Sequence, residues 1–144
     1  MRSVLVLNGP NLQRLGSREP EIYGTVSYPE LVAQLAALGK SMSLAVEVRQ
    51  SDSESELISW IHEATDNNID VVINPAAFTH YSYALADACK IHTSSGNTLI
   101  EVHISNPHAR EAFRSVSVIS ASSSGVIAGF GLRSYEHALR QLAG

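Results

Sequence analysis

Short strands that are apolar from end to end, alternating with amphipathic helices, are the pattern that most restricts this chain. Val4-Leu5-Val6-Leu7 and Val71-Val72-Ile73 carry no polar face. A strand with one side in water alternates polar and apolar residues, so these must be covered on both sides. Between them, residues 28–40 place Tyr28, Leu31, Val32, Leu35 and Leu38 on one helical face. Ser27 and Glu30 form a candidate capping box, with Pro29 tolerated in the first turn. Strand two covers about Ala45–Arg49. The helix after it carries Leu57, Ile58, Ile61 and Ala64 behind a second candidate box, Ser53 and Glu56.

The alternation continues. Strand three ends at Asn74-Pro75, helix three spans about Ser82–His92, and strand four about Thr98–His103. A short helix near Ala109–Arg114, a fifth strand at Val126–Ala128 and a closing helix at Ser134–Leu142 complete the order. No linker or repeat interrupts it, which predicts one domain over residues 1–144. The fold class is α/β, a flavodoxin-like, doubly wound, five-stranded parallel sheet with helices on both faces. In such sheets ligands bind beyond the carboxyl ends of the strands.

Composition removes several function classes. With 44% hydrophobic and 17% charged residues the chain is globular. Its net charge of −4 and lack of a basic run argue against nucleic acid. No stretch approaches the roughly 20 apolar residues of a membrane span. The single cysteine, Cys89, permits no internal disulfide, and a cytoplasmic setting is expected.

Three strand ends carry the chemistry: Asn8-Gly9-Pro10-Asn11, Asn74, and Glu101-Val102-His103-Ile104-Ser105-Asn106. Glu101 and His103, two apart on a strand, share a face. A buried carboxylate needs a partner, and the imidazole supplies one; Glu101 then fixes the tautomer of His103 as a general acid. Residues 9–27 lack periodicity and hold Gly9, Pro10, Gly16, Pro20 and Gly24, as an active-site lid does. If it is a lid, Tyr23 can enter the crevice with Arg18 to hold it as tyrosinate; the alternative is a surface loop with a packed tyrosine, and spacing alone favours that.

His80 lies near the start of helix three and can donate to a ligand oxygen; Ala84 and Asp87 share its helical face. Arg110 and Arg114, four apart, can bind an anionic or hydroxylated ligand. His62, His92 and His137 fall within helices as packing or surface residues, and His108 is given no role. No zinc spacing is present. Gly129-Phe130-Gly131 lacks the third glycine of a dinucleotide fingerprint and reads as a turn, while Lys40 and Lys90 sit on helices away from the strand ends.

These segments together resemble the type II 3-dehydroquinate dehydratases: Asn8-Gly9-Pro10-Asn11-Leu12, Leu15-Gly16 with Arg18, Pro20 and Tyr23-Gly24, Asn74-Pro75-Ala76-Ala77 with Thr79-His80, and Glu101 through Asn106. Gln50-Ser51-Asp52-Ser53 and Gly125-Val126-Ile127 with Gly129 match as well. The resemblance implies anti elimination of water from 3-dehydroquinate through an enolate, with no metal or organic cofactor. It implies Tyr23 as general base, kept anionic by Arg18, and His103 as acid, oriented by Glu101. Asn11 would support the enolate through an ordered water. Asn74 and the backbone amides of Ile104 and Ser105 would hold the substrate carboxylate, and His80 and Arg114 the ring hydroxyls. Asp87 would reach a neighbouring subunit's site within a dodecamer, a tetramer of trimers.

Two stretches depart from the family's Thr-His-Thr-Ser and Leu-Arg-Asp-Ala: here they read Thr79-His80-Tyr81-Ser82 and Leu85-Ala86-Asp87-Ala88. Altered subunit contacts or pocket edges are expected there. A phosphorylated receiver domain would need an aspartate where Asn74 stands, and a flavodoxin a Ser/Thr-rich phosphate loop after strand one. The remaining alternative is a non-catalytic binding module for small cyclic carboxylates. Binding alone has no need of a matched base and acid.

Overall fold

A computed structural model describes residues 1–144. Five strands, β1 (Arg2–Asn8), β2 (Leu44–Gln50), β3 (Asp70–Asn74), β4 (Leu99–His103) and β5 (Gly125–Ala128), form one sheet in the order β2-β1-β3-β4-β5. All four pairings are parallel. The long helices are α2 (Tyr28–Ser41), α3 (Glu54–Asp66), α4 (Tyr83–Ser94) and α5 (Arg133–Ala143), and a single turn, α1 (Pro20–Tyr23), lies in the segment after β1.

The apolar strands are sandwiched as their composition requires. Val4, Val6, Val72, Ile100 and Val102 pack on Leu31 and Leu35 of α2 and on Tyr135, Leu139 and Leu142 of α5. Their neighbours Leu5, Leu7, Val71, Ile73 and Leu99 face the other way, onto Leu57 and Ile61 of α3 and Leu85, Ala88 and Cys89 of α4. Successive residues thus serve two separate cores.

Helix starts follow the serines. Ser27 and Ser53 accept from the backbone N–H of Glu30 and Glu56, as their spacing predicts, and Ser82 does the same for Leu85 at the head of α4. Two expectations fail. His80 closes a separate 3-10 turn, Ala76–His80, ahead of α4, which starts at Tyr83, so it shares no helical face with Ala84 and Asp87. The short helix near Ala109–Arg114 is instead two 3-10 turns, Pro107–Ala109 and Ala112–Ser115. Arg110 is extended between them, at φ −118° and ψ −160°. Four-residue spacing therefore does not put Arg110 and Arg114 on one helical face. Each guanidinium is drawn to its own partner, and those contacts outweigh the gain from one short helix.

The strand order reverses between β1 and β3, whose ends are in register at Asn8 and Asn74. The loops after β1 and β3 diverge there and leave a crevice. Gly9 makes the approach possible: a Cβ at this position would meet the Pro75 carbonyl oxygen at 2.4 Å. Tyr135 clamps the same point from beneath. Its hydroxyl donates to Asn8 Oδ1 at 2.6 Å and accepts from Asn74 Nδ2 at 2.9 Å. Nothing local to residue 135 announces this.

Candidate active site

The segment after β1 is not a free loop. Leu12 and Leu15 are buried in the core and pin its first half. Asp52 holds the turn by accepting from the Asn11 N–H at 2.9 Å, and Asn11 takes a left-handed φ of 71°. Beyond Leu15 the chain lifts off through Gly16, at φ 96°. It then forms α1, which ends at Tyr23. A Leu-anchored base and an outer part bounded by Gly16 and Gly24 are the anatomy of a lid.

The lid covers a crevice floored by the ends of β1, β3 and β4. Asn11, Arg18, Tyr23, Asn74, His80, His103, Ile104, Ser105 and Arg114 all line it, together with Arg110. Of the remaining candidates, Glu101 lies behind His103 and Asp87 lies on the exposed side of α4 outside the crevice. Three guanidinium groups and two imidazoles converge there with no carboxylate on the lining. On a chain of net charge −4 that is a local inversion of sign, and it selects an anionic ligand.

Tyr23 is gripped by cations from two directions. The Arg18 guanidinium carbon stands 4.9 Å from its ring centroid. Arg110 is nearer the hydroxyl: its Nη1 donates to the Tyr23 hydroxyl at 2.8 Å, with its guanidinium carbon 5.4 Å from the ring centroid. Its spacing from Arg114 in the sequence marks Arg110 only as a generic anion-binding residue. Contact with a residue 87 positions away leaves no trace in local spacing.

Opposite the lid, His103 Nε2 donates to Glu101 Oε2 at 2.5 Å. Glu101 has no exposed surface. Its other partners are hydroxyls: Thr79 at 2.6 Å, Ser120 at 2.6 Å and Ser117 at 3.0 Å. Burial pushes the Glu101 carboxyl upward, but the hydrogen bond and charge of His103, aided by Ser120 and Thr79, outweigh it and leave it below its ordinary value. An ionised Glu101 fixes the Nε2–H tautomer. Nδ1 has no protein partner, so a second proton placed there is free to be donated. No local spacing marks these three hydroxyls as partners of Glu101; the serine density of residues 115–124 is the only hint in the sequence.

One end of the crevice offers backbone donors. The N–H groups of Ile104 and Ser105, just past β4, donate to no protein acceptor. Asn74 is oriented beside them, its Oδ1 accepting from the Ala76 N–H at 3.1 Å and its Nδ2 bound to Tyr135. His80 Nδ1 donates to the Val116 carbonyl at 2.7 Å. A neutral His80 therefore presents Nε2 to the crevice as an acceptor, suited to a ligand hydroxyl. Arg114, paired with Glu111 at 3.3 Å, stands at the same wall. No group of three His, Cys, Asp or Glu side chains is placed to hold a metal ion. No helix is long and apolar enough to cross a membrane.

Residues 2–143 match the family described as dehydroquinase class II. A 3-dehydroquinate dehydratase of Salinispora arenicola is 54% identical over 140 residues, covering 97% of this chain and 96% of that protein. The crystal structure of a type II dehydroquinase from Propionibacterium acnes superposes with a TM-score of 0.96 at 54% identity, over 99% of this chain and 97% of that one. A type II dehydroquinase from Butyrivibrio crossotus gives 0.95 at 45% identity, over 99% and 98%.

Proposed function

The chain belongs to the class II dehydroquinase family, and from that premise we propose how its crevice carries out the reaction. It is a hydro-lyase that removes water from 3-dehydroquinate, a step of the shikimate pathway. Residues 1–144 act as one catalytic domain. The observation that carries the reading is the pairing of opposed groups across one crevice: a phenol hydrogen-bonded by a guanidinium, facing an imidazole backed by a buried carboxylate.

In this reading Tyr23, as phenolate, takes the proton from C2, and the electron pair of that C–H bond moves towards the adjacent carbonyl to give an enolate. Arg18 and Arg110 stabilise the negative charge that Tyr23 carries beforehand. Asn11 supports the enolate through an ordered water. The enolate then expels the C1 hydroxyl as the C1–C2 double bond forms. His103 supplies the proton that makes the leaving group water, and Glu101 stabilises the imidazolium beforehand. The substrate carboxylate is held by Asn74 and the free N–H groups of Ile104 and Ser105, with His80 and Arg114 on the ring hydroxyls.

Asp87 is exposed on α4 and does not line its own crevice. We assign it to the site of a neighbouring subunit in a dodecamer built as a tetramer of trimers. Exposed Tyr83, one turn before Asp87 on α4, and exposed Tyr81 supply contact area for such packing. A cytoplasmic location suits the single, buried, unpaired Cys89.

The direct test follows the ultraviolet absorbance of the conjugated enone after 3-dehydroquinate is added to protein treated with EDTA, with and without borohydride. Sustained turnover in both is the expected result. Binding of 3-dehydroquinate with no enone formed would leave a carboxylate-binding module instead.

A further inference from the structure

The residue that starts the lid's single helical turn also touches the cation that grips its last residue. The Glu19 carbonyl accepts from the Ile22 N–H at 2.9 Å and from the Tyr23 N–H at 3.0 Å. Glu19 does this from a left-handed conformation, φ 41° and ψ 61°, which side chains bearing a Cβ seldom adopt. Strain of this kind persists where surrounding contacts impose it. One such contact is on the side chain: Glu19 Oε2 lies 3.6 Å from Arg110 Nη2, the one carboxylate paired with that guanidinium.

Arg110 has two directions open to it. Its Nη1 donates to the Tyr23 hydroxyl at 2.8 Å and also to Ser105 Oγ at 3.2 Å. Ser105 is where the substrate carboxylate is assigned. The Arg110 side chain is only 12% exposed and its Nε is buried without an acceptor. A guanidinium with donors to spare turns towards whichever carboxylate offers a bidentate fit. A substrate carboxylate arriving beside Ser105 is such a group. If Arg110 swung to it, binding would be served at the expense of the base.

We propose that Glu19 is a positioning residue that holds Arg110 on Tyr23 and away from the substrate carboxylate; this rests on Tyr23 being the base. Glu19 thereby joins lid closure to base alignment, since its main chain forms the turn that carries Tyr23 and its side chain fixes the cation that meets the phenol. The other cations of the crevice, Arg18 and Arg114, are not paired with it.

The test is Glu19→Gln, which keeps size and loses charge at a side chain 43% exposed. Its kcat falls by up to about 10²-fold, the scale of a misaligned reacting group, while KM is unchanged or lower because Arg110 is released to the substrate. The isotope effect on kcat from deuterium at C2 of 3-dehydroquinate increases as proton abstraction becomes slower. In an Arg110→Ala background the same substitution has no further effect. Glu19→Gly, which relieves the left-handed backbone and removes the whole side chain with its carboxylate, repeats the signature. Wild-type kinetics in Glu19→Gly, a raised KM with kcat intact in Glu19→Gln, or an equal loss without Arg110 would each overturn the proposal. Turnover by the unaltered enzyme tests the assigned reaction separately, so the two failures are distinguishable.

Discussion

His103 Nε2 and Glu101 Oε2 meet at 2.5 Å on one face of β4, and the carboxylate is closed off from solvent. Glu101→Gln keeps the shape and removes the charge that stabilises a protonated imidazole. The expected result is a fall in kcat of about 10²-fold or more, the range of general acid catalysis, with KM little changed. Steady-state kinetics beside a thermal melt check this. A variant that folds and retains full kcat would mean that Glu101 is only a structural partner.

Tyr23→Phe keeps the ring that Arg18 and Arg110 approach and deletes only the oxygen. Turnover is expected to disappear while the melting curve and binding of 3-dehydroquinate persist. Near-normal activity in this variant would assign the base to another group. His103→Ala is expected to be nearly as inactive.

Tyr135→Phe tests the buried clamp. Its hydroxyl joins Asn8 to Asn74 with no exposed surface. Removing it leaves buried amide groups short of a partner, which costs about 1–3 kcal/mol. Urea denaturation reads that loss directly. Because Asn74 is then free to turn, KM should rise more than kcat falls; unchanged KM would show that the β3 end orients Asn74 unaided.

His92 gives the fold a pH dependence outside the crevice. It is fully buried on α4. The Thr65 hydroxyl donates to the Ile61 carbonyl at 2.8 Å, so it accepts from His92 Nδ1–H at 2.8 Å, while Nε2 has no partner. Burial holds its pKa below the ordinary 6.5, against weaker opposing effects of the Thr98 carbonyl and Asp70. The folded state therefore disfavours the proton. This contribution to stability is complete above about pH 6.5 and is lost as pH falls from there through the lower folded value. Glu101, also lowered, adds the same sign further down, below about 4.5. Urea midpoints at pH 7.5 and 5.5 should differ for the parent protein and differ less for His92→Gln. Equal slopes would place the dependence elsewhere.

Whatever repeats at short range is legible in the amino-acid order. Apolar strands such as Val71–Ile73 required two covered faces, helix faces followed from 3.6-residue spacing, and a period of two put Glu101 beside His103. Three strand ends rich in polar residues then marked the crevice. Which groups from distant segments meet follows only from the folded chain. Arg110 reaches Tyr23 across 87 positions, and Tyr135 reaches Asn8 across 127. Ser117 and Ser120 surround a carboxylate that lies 16 and 19 residues earlier. The same long-range contacts explain why residues 109–114 are not one helix, since Arg110 extends towards the lid. Local periodicity records how a segment buries its own surface, whereas these pairings depend on where the sheet brings other segments.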